Sequence, residues 1–456
     1  MHGLWWVAEA PDRKVSGTLT YSSTSGIRLA LSADPLEHLE MDFAQRELRW
    51  HRQQSVILGN SDDGSEHFTV IDAVAISISS NILLSADGVP TQTSGAILFL
   101  ANHVLRGQYS VPNAQAATFS MLYLEVDHLE AWAGGPALAQ ATEGTDPFHP
   151  RTLFTFQTET GHYELTAWAV PFFRERESGT SHTCAVLARW SNPVTLQGLM
   201  GELEKLLSLL TLLFGVRACP RVLSVHEHAD TEPLELIALF TKKHDSNPTH
   251  WDMSMPLCNL AERASAVFSN WFAEWHLLSH TVAMLLTACS TPYATTGFLL
   301  LANAVEAFHR ATQDDNLLPD EDFQRWRETL IAALPSGLPS KLREKLVGDI
   351  DHANECNFRA RLKVLLFEVL KLPKSGTLPS SGTHPKNFIA FVVNARNSLT
   401  HAKRDPQPGP DLIPASQDLT AILVQLLLMR IGCADDSIRS AMLRLPRTHL
   451  ARGLSQ

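Results

Sequence analysis

An arginine, an asparagine and a histidine lie close together in the stretch NARNSLTHAK, residues 394–403. Asn397 and His401 are four residues apart, so on a helix they share one face. Arg396 lies about 140° from His401 around that helix, and its long side chain can reach toward the same face. These side chains suit metal-free RNA cleavage. A histidine can accept the 2′-hydroxyl proton, and a guanidinium can bind the phosphate as negative charge develops.

Such cleavage also needs a second group, because one histidine acts as base and another as acid. One helix offers a single histidine, whereas two copies related by a two-fold axis would bring two histidines and two arginines to one phosphate. We therefore expect a homodimer formed through the part of the chain that holds Arg396, Asn397 and His401. No metal and no cofactor is needed for this chemistry.

The spacing alone is weak evidence, since Arg46–His51, Arg221–His226 and Arg444–His449 have the same separation. Those pairs lack the asparagine. The simplest alternative for His401 is a surface histidine near a helix end, where a cationic ring suits the helix dipole. Basic surroundings favour the RNA site, because residues 359–404 contain nine Lys and Arg and a single glutamate. We expect RNA contacts from Lys386, Lys403 and Arg404, with solvated helix faces as the alternative.

The elements around this stretch are predicted to be helices. Apolar residues recur every three or four positions, and Pro/Gly-rich loops separate the periodic stretches. We predict an all-helical domain over residues 258–456, with up to seven helices at 260–288, 297–312, 321–334, 340–350, 358–370, 385–403 and 416–432.

The first part of the chain, residues 1–257, is instead typical of strands. Short segments rich in β-branched and aromatic residues alternate with turn sequences. They predict a sandwich-like domain with strands at 15–22, 26–33, 66–74, 95–105, 119–126, 161–170, 183–190, 220–226 and 234–243, and one inserted helix at 195–215 that ends on Gly215. The fold class is therefore α+β.

Charge divides along the same line. The whole chain has a net charge of −11. Residues 1–257 hold 16 Lys and Arg against 29 Asp and Glu, whereas residues 258–456 hold 21 against 19. The acidic first domain is a poor RNA binder. A sensor, a brake or a protein-docking surface suits it better.

Cellular location is predicted from cysteines and apolar runs. The six cysteines form no Cys-x-x-Cys pair, which favours buried thiols in a reducing cytoplasm. The most apolar runs are shorter than the ~20 residues of a membrane span. The stretch VHEHAD places His226 and His228 on one face of a strand, but no further zinc ligands follow from spacing, so exposed histidines are the favoured interpretation.

VVNARNSLTHAK resembles the Arg-Asn-x3-His signature of HEPN domains (higher eukaryotes and prokaryotes nucleotide-binding). LLLANAVEAFHR, with Glu306 and Arg310 one turn apart, is similar to their Glu-x3-Lys/Arg element, for which an i,i+4 salt bridge is the structural alternative. The order of helices resembles the Apea-like subgroup. The resemblance implies metal-independent RNases that act as dimers, with Arg396, Asn397 and His401 as catalytic residues and Glu306 and Arg310 in support.

The first half resembles the ApeA N-terminal domain in three stretches: GLWWVAEAPDRKVSGTLTYSSTSGIRLAL, SVILGNSDDGSEHFTVIDA and FSMLYLEVDHLEAW. Together the two resemblances imply a cytoplasmic anti-phage abortive-infection effector, restrained until infection and then harmful to the host's own RNA. We expect transfer RNA or messenger RNA as its partner and a phage-derived trigger at the N-terminal domain. Two alternatives remain. The helical domain binds RNA or protein without catalysis, or it is the toxin half of a toxin–antitoxin pair.

Overall fold

The computed structural model describes residues 1–22, 25–33, 41–42, 47–48, 53–78, 81–84, 90–93, 96–134, 149–174, 177–238, 253–372, 378, 380–400 and 412–445. The chain forms two compact units. One consists of Met1–Leu210, Arg217–Trp251 and Pro256–Ser265, and the other of Thr211–Val216, Asp252–Met255 and Ala266–Gln456. Within the second unit, the backbone N–H groups of Ser254 and Met255 donate to the carbonyl oxygens of Phe214 and Leu213.

The first unit is built on antiparallel strands. In its described part these are β1 His2–Val7, β2 Val15–Ser22, β3 Gly26–Leu31, β4 Met41–Asp42, β5 Glu47–Leu48, β6 Gln53–Ser61, β7 His67–Ile78, β8 Asn81–Leu84, β9 Pro90–Thr93, β10 Ile97–Ala101, β11 His103–Gly107, β12 Thr118–Val126, β13 Arg151–Gln157, β14 Gly161–Arg174, β15 Glu177–Thr195, β16 Pro220–His226 and β17 Leu234–Ala238. The strands β4 and β5 form one separate hairpin, and β8 and β9 form another.

Six strands close into a barrel in the order β10, β3, β2, β1, β6 and β7, because β10 pairs with both β3 and β7. The register of the β10–β7 pairing shifts between Leu98 and Phe99, and such irregularities let a sheet bend far enough to close. The strand-rich first half is thereby confirmed. The predicted sandwich-like domain contains a barrel, which is a sheet that closes on itself.

Trp5 occupies the core of this barrel, fully buried among aliphatic residues and Phe68. Two glycines on neighbouring strands make room for its ring. A Cβ on Gly59 would lie 2.3 Å from Trp5 Cε3, and a Cβ on Gly17 would lie 2.9 Å from Trp5 Cδ1. The close approach of backbone and indole therefore requires glycine at these positions.

Beyond the barrel the sheet continues from β7 through β11, β17, β16, β12, β15 and β14 to β13. The predicted inserted helix is confirmed as α2, Leu196–Phe214, preceded by a short helix α1, Leu129–Ala133. Gly215 follows α2 with a φ of 72°, the left-handed conformation that commonly ends a helix.

Most predicted strands are present. The segment 95–105 divides into two strands, β10 and β11, and residues 239–243 of the last predicted strand lie outside the described residues. Seven described strands were not predicted: β1, β4, β5, β6, β8, β9 and β13. The run LWWV in β1 is apolar on both faces, with Trp5, Trp6 and Val7 all buried, so the alternation expected of a half-exposed strand is missing.

The second unit is helical, as predicted. Its described helices, with those that lead into it, are α3 Leu257–Leu260, a 3-10 turn Ala261–Arg263, α4 Ala264–Ser290, α5 Ala294–Thr312, α6 Asp320–Ala332, α7 Ser340–Asp351, α8 Phe358–Lys363 continuing as a π-helix Val364–Val369, α9 Pro385–Thr400, α10 Leu412–Arg430 and α11 Asp435–Arg444. The helix α11 was not predicted. One described helix, α10, is long and apolar enough to cross a membrane, and most of it is buried within the fold.

Candidate active site

Helix α9 carries the Arg-Asn pair and is anchored by an apolar face. Phe388, Ile389, Val392 and Ala395 are buried along it, at the three- and four-residue spacing of a core-facing helix. Arg396 follows Ala395 at the edge of this face and is half-buried. The packed face therefore fixes the position on α9 from which the Arg396 side chain extends.

The chain just before α9 is held by Asp418, a buried residue on α10. Its two carboxylate oxygens accept hydrogen bonds of 2.9 Å from the backbone N–H groups of Ser380 and Ser381. A buried carboxylate is stabilised when backbone donors satisfy it in this way. The loop that leads into α9 is consequently fixed by a neighbouring core helix.

Arg396 contacts residues of two other helices. Its Nη2 lies 2.5 Å from Oε2 of Glu306 on α5, and its Cζ lies 4.6 Å from the ring centroid of Phe358 on α8, a cation–π contact. A weaker hydrogen bond of 3.5 Å links Nη2 to Oδ1 of Asn303. Within the described part of the chain, Nε and Nη1 of Arg396 have no hydrogen-bond partner. The side chain is 25% exposed, so these donors can meet an incoming anion.

Glu306 binds two arginines at once. While Oε2 accepts from Arg396, Oε1 accepts from Nη1 of Arg361 on α8. The glutamate side chain is 17% exposed. One carboxylate therefore connects three helices, α5, α8 and α9, through charge-assisted hydrogen bonds.

Arg361 is almost completely buried, with 2% of its side chain exposed. Its Nε and Nη2 donate to Oδ1 and Oδ2 of Asp315 at 2.7 and 2.6 Å, a two-pronged pair. Burial by itself lowers the pKa of Arg361, but the hydrogen bonds and charges of Asp315 and Glu306 raise it overall. Burial likewise raises the pKa of Asp315, yet Arg361 brings it below its ordinary value. Both groups are thus held ionised.

Arg310, four residues after Glu306, is more peripheral. Its Nη2 lies 3.4 Å from Oε1 of Glu306 and 3.3 Å from Oε2 of Glu355, and its side chain is 53% exposed. Water screens such a pair strongly. The predicted pairing of Glu306 with Arg310 is therefore present, but the shorter and more buried contacts of Glu306 are those to Arg361 and Arg396.

The remaining predicted residues are distributed as follows. Asn397 is exposed on α9, immediately after Arg396. Lys386 is also exposed, but it lies ten residues before Arg396, which is roughly 15 Å along the helix axis. His401, Lys403 and Arg404 lie outside the described residues. The site that the structure describes thus joins Glu306 to Arg396.

A second histidine lies close to this network. His309 on α5 is 1% exposed, and its Nδ1 lies 3.4 Å from Oδ1 of Asp315 without a hydrogen-bond partner among the described residues. Burial lowers the pKa of His309, and the charge of Arg361 lowers it further, against an opposing effect of Asp315. His309 is therefore a buried neutral side chain that supports the site from within the core.

Two acidic partners of Arg361, Asp315 and Glu355, flank a helical hairpin formed by α6 and α7. An antiparallel bridge joins Asn316 to Glu355. Asn354, which is buried, donates to the carbonyl oxygen of Leu318 and accepts from its N–H at 2.9 and 2.8 Å. Asp315 and Glu355 are thereby positioned by the closure of this hairpin.

Comparison with known families identifies both halves of the chain. Residues 1–271, more than half of the sequence, match the ApeA N-terminal domain 1, and residues 299–437 match the Apea-like HEPN domain. The chain belongs to the ApeA-like family. No curated protein and no solved structure matches it.

In this ApeA-like chain the HEPN match covers most of α5 and all of α8 and α9, and so includes every residue of the Glu306 network as well as His401. Sequence reasoning singled out Glu306, Arg310 and Arg396 but missed Arg361 and Asp315 as site residues. One signal was available: Arg361 stands beside Leu362, three residues after Phe358, on the face of α8 that is buried. An arginine on an apolar face requires a carboxylate partner.

Proposed function

We propose that this ApeA-like chain is a metal-independent RNA endonuclease of bacterial anti-phage defence, an abortive-infection effector that cuts transfer RNA or messenger RNA. The observation that carries the proposal is the position of Arg396. Glu306 and Phe358 hold one side of its guanidinium, and its Nε and Nη1 have no hydrogen-bond partner in the described residues. Each of these groups can donate a hydrogen bond to a phosphate oxygen, and the charge of the guanidinium strengthens it.

The reaction needs two copies of the chain. His401 of one copy would take the proton of the 2′-hydroxyl, and the 2′-oxygen would attack the adjacent phosphorus. The bond from phosphorus to the 5′-oxygen breaks, and His401 of the other copy would give a proton to that leaving oxygen. Arg396 would bind the non-bridging oxygens as their charge increases, while Asn397 would orient the histidine. The products are a 2′,3′-cyclic phosphate and a 5′-hydroxyl.

The other parts of the proposal concern partners and location. We propose a homodimer formed through the HEPN domain, RNA contacts by Lys386, Lys403 and Arg404, and a cytoplasmic enzyme that requires no membrane and no metal. The acidic domain at residues 1–257 would restrain the helical domain at 258–456 until it binds a phage-derived trigger. The excess of acidic residues in the first domain supports a regulatory role over RNA binding.

The test measures new 5′-hydroxyl ends in bulk RNA from cells that overproduce the chain, with and without phage infection to supply the trigger, and in bulk bacterial RNA incubated with the purified protein in EDTA. Replacing Arg396 or His401 by alanine should lower the yield of these ends at least about 100-fold. His280→Ala is the matched control, because His280 is exposed on α4. Equal cleavage by His401→Ala and wild type would refute the mechanism.

The same preparations separate the alternatives. RNA that is retained on a filter without new ends, with no effect of His401→Ala on toxicity, would indicate a binding module. A nucleotidyltransferase-type protein that copurifies and neutralises the toxicity would indicate a toxin–antitoxin pair.

A further inference from the structure

The most deeply buried guanidinium in the described part of the HEPN domain is one that the signature residues do not include. Arg361 is 2% exposed and has contacts with Asp315, Glu306 and, at 3.7 Å, Glu355. Apolar residues commonly replace buried ion pairs without loss of stability. Stability alone is therefore a weak explanation for a guanidinium here, and a positioning role is worth testing.

Arg361 determines where Glu306 places its second oxygen. Nη1 of Arg361 donates to Oε1, which leaves Oε2 directed at Nη2 of Arg396, 2.5 Å away. Asp315 in turn fixes Arg361 with two hydrogen bonds. The order of contacts is Asp315, Arg361, Glu306, Arg396, and each step is a hydrogen bond between charged groups.

The charges of these four residues balance, with two carboxylates and two guanidiniums. Without Arg361, the carboxylates of Asp315 and Glu306 would lose the cation that they share. Glu306 would then have Arg396 as its nearest cation, since the alternative, Arg310, is half exposed and 3.4 Å away. Arg396 would be drawn toward Glu306 and away from a phosphate.

We infer that Arg361 is a positioning residue for the proposed RNA cleavage: held by Asp315, it sets the carboxylate of Glu306 that orients Arg396 toward the scissile phosphate. This inference rests on the proposed function. The Glu-x3-Arg spacing predicted that Arg310 supports Glu306. We assign that role to Arg361 instead. Because Arg361 does not reach the surface, its effect is on the rate of the chemical step more than on RNA affinity.

The experiment compares Arg361→Met, Arg361→Lys, Arg310→Met and the double variant Arg361→Met/Asp315→Asn. Arg430→Met is the matched control, because Arg430 forms a two-pronged pair with Glu274 elsewhere in the helical unit. Three quantities are measured: thermal unfolding, the single-turnover rate of 5′-hydroxyl formation in bulk bacterial RNA, and the Kd of a fluorescent 2′-O-methyl oligoribonucleotide, which cannot be cut because its 2′-oxygen is blocked.

We expect Arg361→Met to lower the rate about 100-fold, the loss that a displaced catalytic group produces, with a change in Kd of less than about threefold. Arg361→Lys should unfold at a higher temperature than Arg361→Met but cut RNA no faster. An ammonium cannot reproduce the planar fork that joins two carboxylates. The double variant, which removes one charge of each sign, should also fold well and cut slowly. Arg430→Met should lose stability and keep the rate.

Two results overturn the inference. In one, wild type cuts RNA and Arg361→Met is no slower than Arg310→Met. In the other, the rate recovers with stability in Arg361→Lys and in the double variant. A failure of the proposed function is recognised separately, since wild type would then produce no more ends than His401→Ala, and the role of Arg361 would fall with it.

Discussion

Oε2 of Glu306 lies 2.5 Å from Nη2 of Arg396, across two helices whose residues are 90 positions apart in the sequence. This contact places the arginine of the Arg-Asn-x3-His signature against the glutamate of the Glu-x3-Arg element. A single carboxylate thereby links the two sequence motifs that identify the HEPN domain, and Arg361 completes the link from a third helix.

The first prediction concerns the charge of Glu306. Glu306→Gln keeps the shape of the side chain but removes the charge that holds Arg396, so we expect RNA cleavage to fall about 10- to 100-fold. Glu274→Gln is the control, because it weakens the Arg430 pair in the same unit. Counting 5′-hydroxyl ends compares the two variants. Faster cleavage by Glu306→Gln would mean that Glu306 restrains Arg396 instead of orienting it.

The second prediction concerns the shared site. Wild type and His401→Ala, co-expressed with different affinity tags and purified through both, should give a heterodimer that cuts RNA at least about 100-fold more slowly than wild type, because either the base or the acid is missing. If each copy cuts independently, the heterodimer keeps half of the wild-type rate. A doubly tagged wild-type dimer serves as the control.

The third prediction concerns the barrel core. Gly59→Ala should lower the free energy of unfolding by about 1–3 kcal/mol, because the new methyl group would overlap the ring of Trp5. Gly201→Ala should raise it by up to about 1 kcal/mol, since Gly201 lies within α2 with open space around its Cα. Urea unfolding measures both. Equal effects of the two substitutions would contradict the packing of Trp5 against Gly59.

The fourth prediction concerns the pH dependence of stability. Because burial lowers the pKa of His309 below its ordinary value of 6.5, the unfolded chain binds protons that the folded chain does not. The stability associated with this histidine is fully present above about pH 6.5 and is lost as the pH falls through the lower folded pKa. The difference in unfolding free energy between wild type and His309→Gln should therefore shrink toward pH 5.

The matched control for that series is His280→Gln, at an exposed position on α4, for which the difference from wild type should stay constant over the same pH range. A difference for His309→Gln that grows in acid would show that the folded state favours the charged ring, and the assignment of a buried neutral side chain would be wrong.

Local patterns were sufficient for much of the fold. The three- and four-residue apolar spacing of α9 and the alternation of β3, whose buried residues are Ile27, Leu29 and Leu31, are properties of single elements. Elements that depend on tertiary packing were missed. The strand β1 buries Trp5, Trp6 and Val7 in succession, and the barrel itself exists because β10 pairs with two strands far apart in the sequence.

The sequence by itself determined the α+β class, the helical nature of the second half, and the family signatures that contain Glu306, Arg310, Arg396, Asn397 and His401. Only the tertiary structure decided the partner of Arg396 and the role of Arg361. The physical reason is that helical periodicity describes contacts within one element. Ion pairs between α5, α8 and α9 depend instead on how the intervening segments, one of which contains α6 and α7, bring distant carboxylates and guanidiniums together.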